Sequence, residues 1–133
     1  YKQLNIEEFC NKNKQKFDII TCLEMLEHVP DPSSVIAACA SLLKPKGKIF
    51  FSTLNRNPKS FLFAIIGAEY ILNLLPKETH AYEKFIKPSE LREWCLINNL
   101  NLLDIIGMSY NPVFKSYKLT KDCSVNYLVE VGL

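Results

Sequence analysis

The sequence predicts an α/β fold with a mostly parallel sheet that ends in an antiparallel strand pair. Three observations carry this. Residues 17–22 (FDIITC) and 48–53 (KIFFST) are short, apolar, β-branched and aromatic runs, the pattern of strands buried in a parallel sheet. A capped helix lies between them, so strand, helix and strand form one βαβ unit, expected to be right-handed. Residues 125–131 (VNYLVEV) then alternate apolar and polar, as an antiparallel strand does.

Taken in order, residues 1–5 read as a short strand. Residues 6–14 read as a short helix with Ile6, Phe9 and Cys10 on one face. The basic run at 12–16 leads into the strand at 17–22. Asp31 can cap the free N–H groups of a helix that opens on Pro32. Val35, Ile36, Cys39, Leu42 and Leu43 continue it at helical spacing, and residues 44–47 (KPKG) stop it. After the strand at 48–53, residues 55–58 (NRNP) form a loop. Residues 59–75 form a long apolar helix, residues 76–82 a polar loop, and Pro88 starts another helix carrying Leu91, Trp94, Cys95 and Asn98. Trp94 falls at a core spacing. Residues 100–108 read as a strand.

The 133 residues suit one domain or a large piece of one, and 48% of them are apolar, enough to bury a core. Lys plus Arg is 16 against 14 Asp plus Glu, so no electrostatic drive toward nucleic acid exists. The five cysteines are odd in number and include no Cys-x-x-Cys pair. They read as reduced core thiols rather than a zinc or disulfide framework.

The chemistry concentrates in residues 24–28 (EMLEH), just past the carboxyl end of the first buried strand, where open parallel sheets bind ligands. If the segment turns helically, Glu24, Glu27 and His28 share a face at i, i+3 and i+4. Two carboxylates and an imidazole could then hold a divalent cation that favours a phenolate, or His28 could act as general base. The same spacing also fits two solvated glutamates and a histidine bonded to the turn backbone, and spacing by itself favours that plainer arrangement. Asn55 and Arg56 follow the second strand and border the same end. His80 lies in a solvated loop, Tyr110 could line a ring pocket, and Lys84 and Lys87 read as surface.

The run from residue 17 to 53, with LEHVPDP and LLKPKG between two apolar strands, resembles the second half of the class I methyltransferase core. Residues 53–57 (TLNRN), 67–70 (GAEY), 75–80 (LPKETH), 84–88 (KFIKP), 110–112 (YNP) and 125–127 (VNY) narrow the likeness to the ubiquinone-biosynthesis O-methyltransferases. That resemblance implies a partial Rossmann-like fold and S-adenosylmethionine as methyl donor. It implies acceptors that are polyprenylated phenols or quinols, such as 2-polyprenyl-6-hydroxyphenol and 3-demethylubiquinol. It also implies a cofactor contact at Leu23, a catalytic role for His28 and Glu24, and Mg²⁺ or another divalent cation at Glu24, Glu27 and His28. Lys46 departs from the family's Pro-Gly-Gly turn, and Ala81 stands where an Asp usually follows Thr79 and His80, which puts a role for that loop in doubt.

Residues 1–133 are therefore expected to be the C-terminal portion of a single methyltransferase domain. The four glycines include no Gly-x-Gly, so the glycine-rich turn and the ribose-binding acid are expected before Tyr1. By itself the chain should bind S-adenosylmethionine weakly. Residues 61–75 hold twelve apolar positions in fifteen, flanked by Arg56, Lys59 and Lys77. They are too short to span a bilayer, so residues 59–77 are expected either to be buried on the sheet or to make a peripheral membrane contact. The expected location is the cytoplasm at the inner membrane face, or the mitochondrial matrix in a eukaryote, with a quinone-biosynthesis complex as a candidate partner. Two alternatives are a methyltransferase for another acceptor, such as a ring carbon, and a non-catalytic scaffold with this fold.

Overall fold

The computed structural model describes residues 4–12, 16–62, 82–111 and 113–133. Within them the order is α1 (Ile6–Lys12), β1 (Phe17–Leu23), a 3-10 turn (Leu26–His28), α2 (Pro32–Leu42), β2 (Leu43–Leu54), a helical turn α3 (Pro58–Ser60), a second 3-10 turn (Tyr82–Lys84), α4 (Pro88–Ile97), β3 (Asn101–Asn111), β4 (Ser116–Thr120) and β5 (Asn126–Gly132). The predicted strand at residues 1–5 falls partly outside the described residues, and Leu4 and Asn5 are not in a strand. Most of the predicted apolar helix, from residue 63 on, also lies outside them.

The five strands form one sheet in the order β1-β2-β5-β3-β4. β1 and β2 are parallel, joined through α2, as the βαβ reading requires. β2 pairs with β5, β5 with β3 and β3 with β4, all antiparallel. α2 begins where the sequence says: the Asp31 side chain accepts from the N–H groups of Ser33 and Ser34 at 3.0 and 3.3 Å, and Pro32 occupies the first turn. Leu43, predicted to extend that helix, starts β2 instead. A register shift between Phe17 and Ile19 absorbs the KPKG segment as an irregular strand entry.

One face of the sheet carries the core. Cys22, Ile49, Phe51, Tyr127, Val129 and Val131 point into it and pack against Val35, Ile36 and Cys39 of α2 and Leu91 and Cys95 of α4. β1 was expected to be covered on both faces. The opposite side of β1 is open, with Ile19 63% exposed and Leu23 also exposed. Among the described residues β1 lies at one edge of the sheet and nothing packs behind that face. Trp94, partly buried against the cluster, is core as expected.

The β3–β4 hairpin is absent from the sequence reading, which ended the strand near residue 108. Residues 116–120 (SYKLT) are short and half polar, too weak a pattern to separate from loop. At its base Gly107 is fixed by contact: a Cβ there would lie 2.0 Å from the Asp122 carbonyl oxygen.

Candidate functional site

The site is built at the carboxyl ends of β1 and β2. Leu23 pairs with Ser52 in the parallel register, so the turn after β1 runs directly over the last residues of β2. Glu24 does not begin a helix. Its φ is +49°, a left-handed conformation uncommon outside glycine and asparagine. Its N–H donates to the carbonyl oxygen and to the hydroxyl of Ser52, each at 3.0 Å. The Ser52 hydroxyl in turn donates to Glu24 Oε1 at 2.6 Å. Ser52 thus grips residue 24 at both backbone and side chain.

Glu27, two residues into the site turn, is held by the next residue of β2. The Thr53 hydroxyl, fully buried, donates to Glu27 Oε2 at 2.7 Å. Successive strand residues face opposite sides of a sheet. Ser52 and Thr53 therefore send the two carboxylates to opposite faces. Thr53 pairs with Tyr127, so Glu27 is drawn to the core side, where it is only 2% exposed. Its Oε1 is buried and accepts no hydrogen bond among the described residues. His28 Nε2 lies 4.0 Å from that oxygen, with the imidazole half-exposed.

The structure brings Glu27 and His28 together and ties Glu24 to Ser52. The three-ligand cluster drawn from i, i+3, i+4 spacing is not formed, and among the described residues no group of three or more His, Cys, Asp or Glu is arranged to hold a metal ion. The spacing argument assumed helical geometry from residue 24, whereas the 3-10 turn starts only at Leu26. A divalent cation does not fit the donor set as it stands, because Ser52 engages Glu24 Oε1 and Thr53 engages Glu27 Oε2.

The surrounding electrostatics follow from burial. Burial, with the Glu27 charge beside it, pushes the Cys22 thiol up to about 11. Burial raises the Tyr127 hydroxyl well above its ordinary value, reinforced by the charges of Glu90 and Glu27. Tyr127 stays a neutral donor and gives its hydrogen bond to the Ile86 carbonyl at 2.9 Å. These groups frame the site and do not titrate in it near neutrality.

Leu23, the expected cofactor contact, ends β1 with its side chain exposed. A cavity of about 340 Å³ lies beside β1, lined by Leu4, Ile20, Thr21, Cys22, Met25 and Val35 among others. Its volume suits a small ligand. Of the lining side chains only Thr21 offers a strong hydrogen-bonding group, so hydroxyls of a nucleoside would find few partners there.

Asn55 and Arg56 do border the site end, but as structural ties. Asn55 donates to the Cys123 carbonyl at 2.9 Å, and Arg56 pairs with Glu90. Lys59, expected to meet headgroups, is bound to Asp122 at 2.7 Å and Ser124 at 2.6 Å. His80 and Lys77 fall outside the described residues. Among the described residues no helix is long and apolar enough to cross a membrane. Sequence reasoning missed Ser52 and Thr53. The signal was available as two adjacent hydroxyl residues at the carboxyl end of a buried strand.

Residues 2–105 match the family described as Methyltransferase domain. The chain is 60% identical over 129 residues to a ubiquinone biosynthesis O-methyltransferase of Dechloromonas aromatica, covering 97% of this chain and 56% of that protein. It is 57% identical over 130 residues to the protein of that name from Pseudomonas putida, covering 98% and 56%. The chain thus spans about half the length of the curated relatives it matches. Among solved structures it is similar to the plantazolicin methyltransferase, at a TM-score of 0.66 and 13% identity over 96% of this chain and 57% of that one. Similar too is magnesium protoporphyrin IX methyltransferase from Synechocystis, at a TM-score of 0.60 and 17% identity over 96% and 48%. Both were solved with bound SAH, and at these identities they bear on the fold.

Proposed function

The chain belongs to the methyltransferase-domain family, and from that premise we propose that it is the acceptor-facing part of an S-adenosylmethionine-dependent O-methyltransferase acting on phenolic hydroxyls of polyprenylated rings in ubiquinone biosynthesis. The observation that carries this is the 56–60% identity, over 97–98% of the chain, to proteins named for that reaction. The location that suits such a substrate is the inner face of the bacterial membrane, with the protein peripheral to it.

When bound, S-adenosylmethionine supplies a methyl group on a sulfonium, ready for transfer to an oxygen nucleophile. His28 is the residue of this chain suited to the acceptor. Its imidazole is half-exposed at the carboxyl end of β1 and can take the phenol proton. Glu27 Oε1, buried and 4.0 Å away, then faces the imidazolium and offsets its new charge. The imidazole would hold the proton released by the phenol, and the donor, when bound, would supply the methyl group to that oxygen. Glu24, gripped by Ser52, shapes the turn, and Leu23 offers an apolar contact to the donor. No step is assigned to a divalent cation, because among the described residues no group of three or more His, Cys, Asp or Glu is arranged to hold one.

The test uses the full-length protein with S-adenosylmethionine and a hydroxylated polyprenyl phenol. His28→Asn should lower kcat about 10²–10⁴-fold. Absence of O-methylation by the parent protein, or methylation at a ring carbon, would refute the proposal.

A further inference from the structure

Beyond Gly107 the β3–β4 hairpin supplies no residue to the core cluster or to the site. Its direction follows from the registers. β3 runs antiparallel to β5, which runs antiparallel to β2, so β3 points the same way as β2. Leu54 at the carboxyl end of β2 pairs with Asn126, and the Met108 N–H donates to Asn126 Oδ1 at 3.0 Å. Met108 is therefore level with the site end of the sheet. Three more strand residues, about 10 Å at ~3.4 Å each, carry the hairpin beyond it.

The tip is apolar. Val113 is 81% exposed and Phe114 78%. Their N–H groups both donate to Asn111 Oδ1, at 3.0 and 3.1 Å, which fixes the turn. Behind the tip, Tyr110 pairs with Tyr117 and Met108 with Leu119, so these four share one face, with the tyrosine rings 4.8 Å apart. Tyr117 and Leu119 are exposed. From residue 107 to 121 there are three lysines, Lys115, Lys118 and Lys121, all exposed, and no acidic residue.

We propose that this hairpin docks the protein on an anionic lipid surface, with Val113 and Phe114 entering the interface and the three lysines meeting the headgroups. The charge is complementary to such a surface. A protruding two-residue tip is too small for a stable protein interface, which buries roughly 800 Å² on each partner, but it suits an interfacial anchor. The tip lies at the same end as Glu27 and His28, so docking would turn the site toward the bilayer. The choice of a bilayer draws on the lipophilic acceptor proposed above.

Flotation of the full-length protein with phosphatidylcholine vesicles, with and without phosphatidylglycerol, tests this. The parent should float with the anionic vesicles. Val113→Ser with Phe114→Ser should weaken that partitioning about tenfold or more, the loss of burying two apolar side chains. Lys115→Gln, Lys118→Gln and Lys121→Gln together should weaken it on anionic vesicles and leave neutral ones unchanged. Methylation of a short, water-soluble phenol should match the parent in both variants, which separates docking from the reaction. If the parent does not methylate phenols, the flotation results still decide the hairpin. Equal flotation of the Ser variant and the parent, equal binding to neutral and anionic vesicles, or a Ser variant that keeps lipid binding but loses association with other quinone-synthesis proteins would overturn the proposal.

Discussion

Thr53→Val removes one hydroxyl from the base of the site without opening a cavity, since valine has nearly the same shape. The Thr53 hydroxyl is fully buried and is the hydrogen-bond donor to Glu27 Oε2 at 2.7 Å. The other carboxylate oxygen already accepts none among the described residues. A hydrogen bond to a charged group contributes about 1.5–3 kcal/mol, and leaving its buried partner unmet incurs the desolvation of that group. We expect a loss near the upper end, about 2–3 kcal/mol, a large fraction of a total stability of about 5–15 kcal/mol. In urea, with a slope of about 1–3 kcal/mol per molar, the midpoint should fall by about 1 M or more. Thr53→Ser keeps the donor and should cost less. Thr53→Val combined with Glu27→Leu removes both partners and should cost less than the two single changes summed, because no orphaned carboxylate remains. Urea denaturation of the four full-length variants at neutral pH measures this. A Thr53→Val protein within about 0.5 kcal/mol of the parent, with additive singles, would refute the view that this hydroxyl holds Glu27.

Two further outcomes follow from the same structure. Gly107→Ala puts a Cβ 2.0 Å from the Asp122 carbonyl oxygen, so the base of the hairpin must shift. Thermal unfolding should show a loss of about 1–3 kcal/mol, as overpacking does. Burial pushes the Cys22 and Cys95 thiols up to about 11 from an ordinary 9.0. Their folded state therefore holds protons that the unfolded chain releases. This contribution is complete below pH 9 and is lost as the pH rises from 9 toward 11. Urea midpoints should fall across that window, less steeply in Cys95→Ala, and neither thiol should alkylate readily at neutral pH.

The βαβ unit was legible in the sequence because its signals are local. Two apolar runs, an Asp-Pro helix start and a KPKG stop depend on neighbours within a turn or two, and the motifs along the chain carried the family. The turn after β1 was legible as a location for the same reason. Its internal arrangement was not. Whether Glu24, Glu27 and His28 converge depends on the backbone at Glu24, which Ser52 holds in a left-handed conformation across 28 residues of chain. Which carboxylate goes to which face depends on β1–β2 register, since one residue separates Ser52 from Thr53 and alternation sends them to opposite sides. The hairpin tip is similar: residues 113–121 hold no strong periodic signal, and only the pairing of β3 with β5 sets the end of the sheet at which Val113 and Phe114 emerge. The sequence by itself determined the βαβ unit and the family, because their signals lie along the chain. Tertiary structure decided which side chains meet at the site, because that follows from register between strands far apart in sequence.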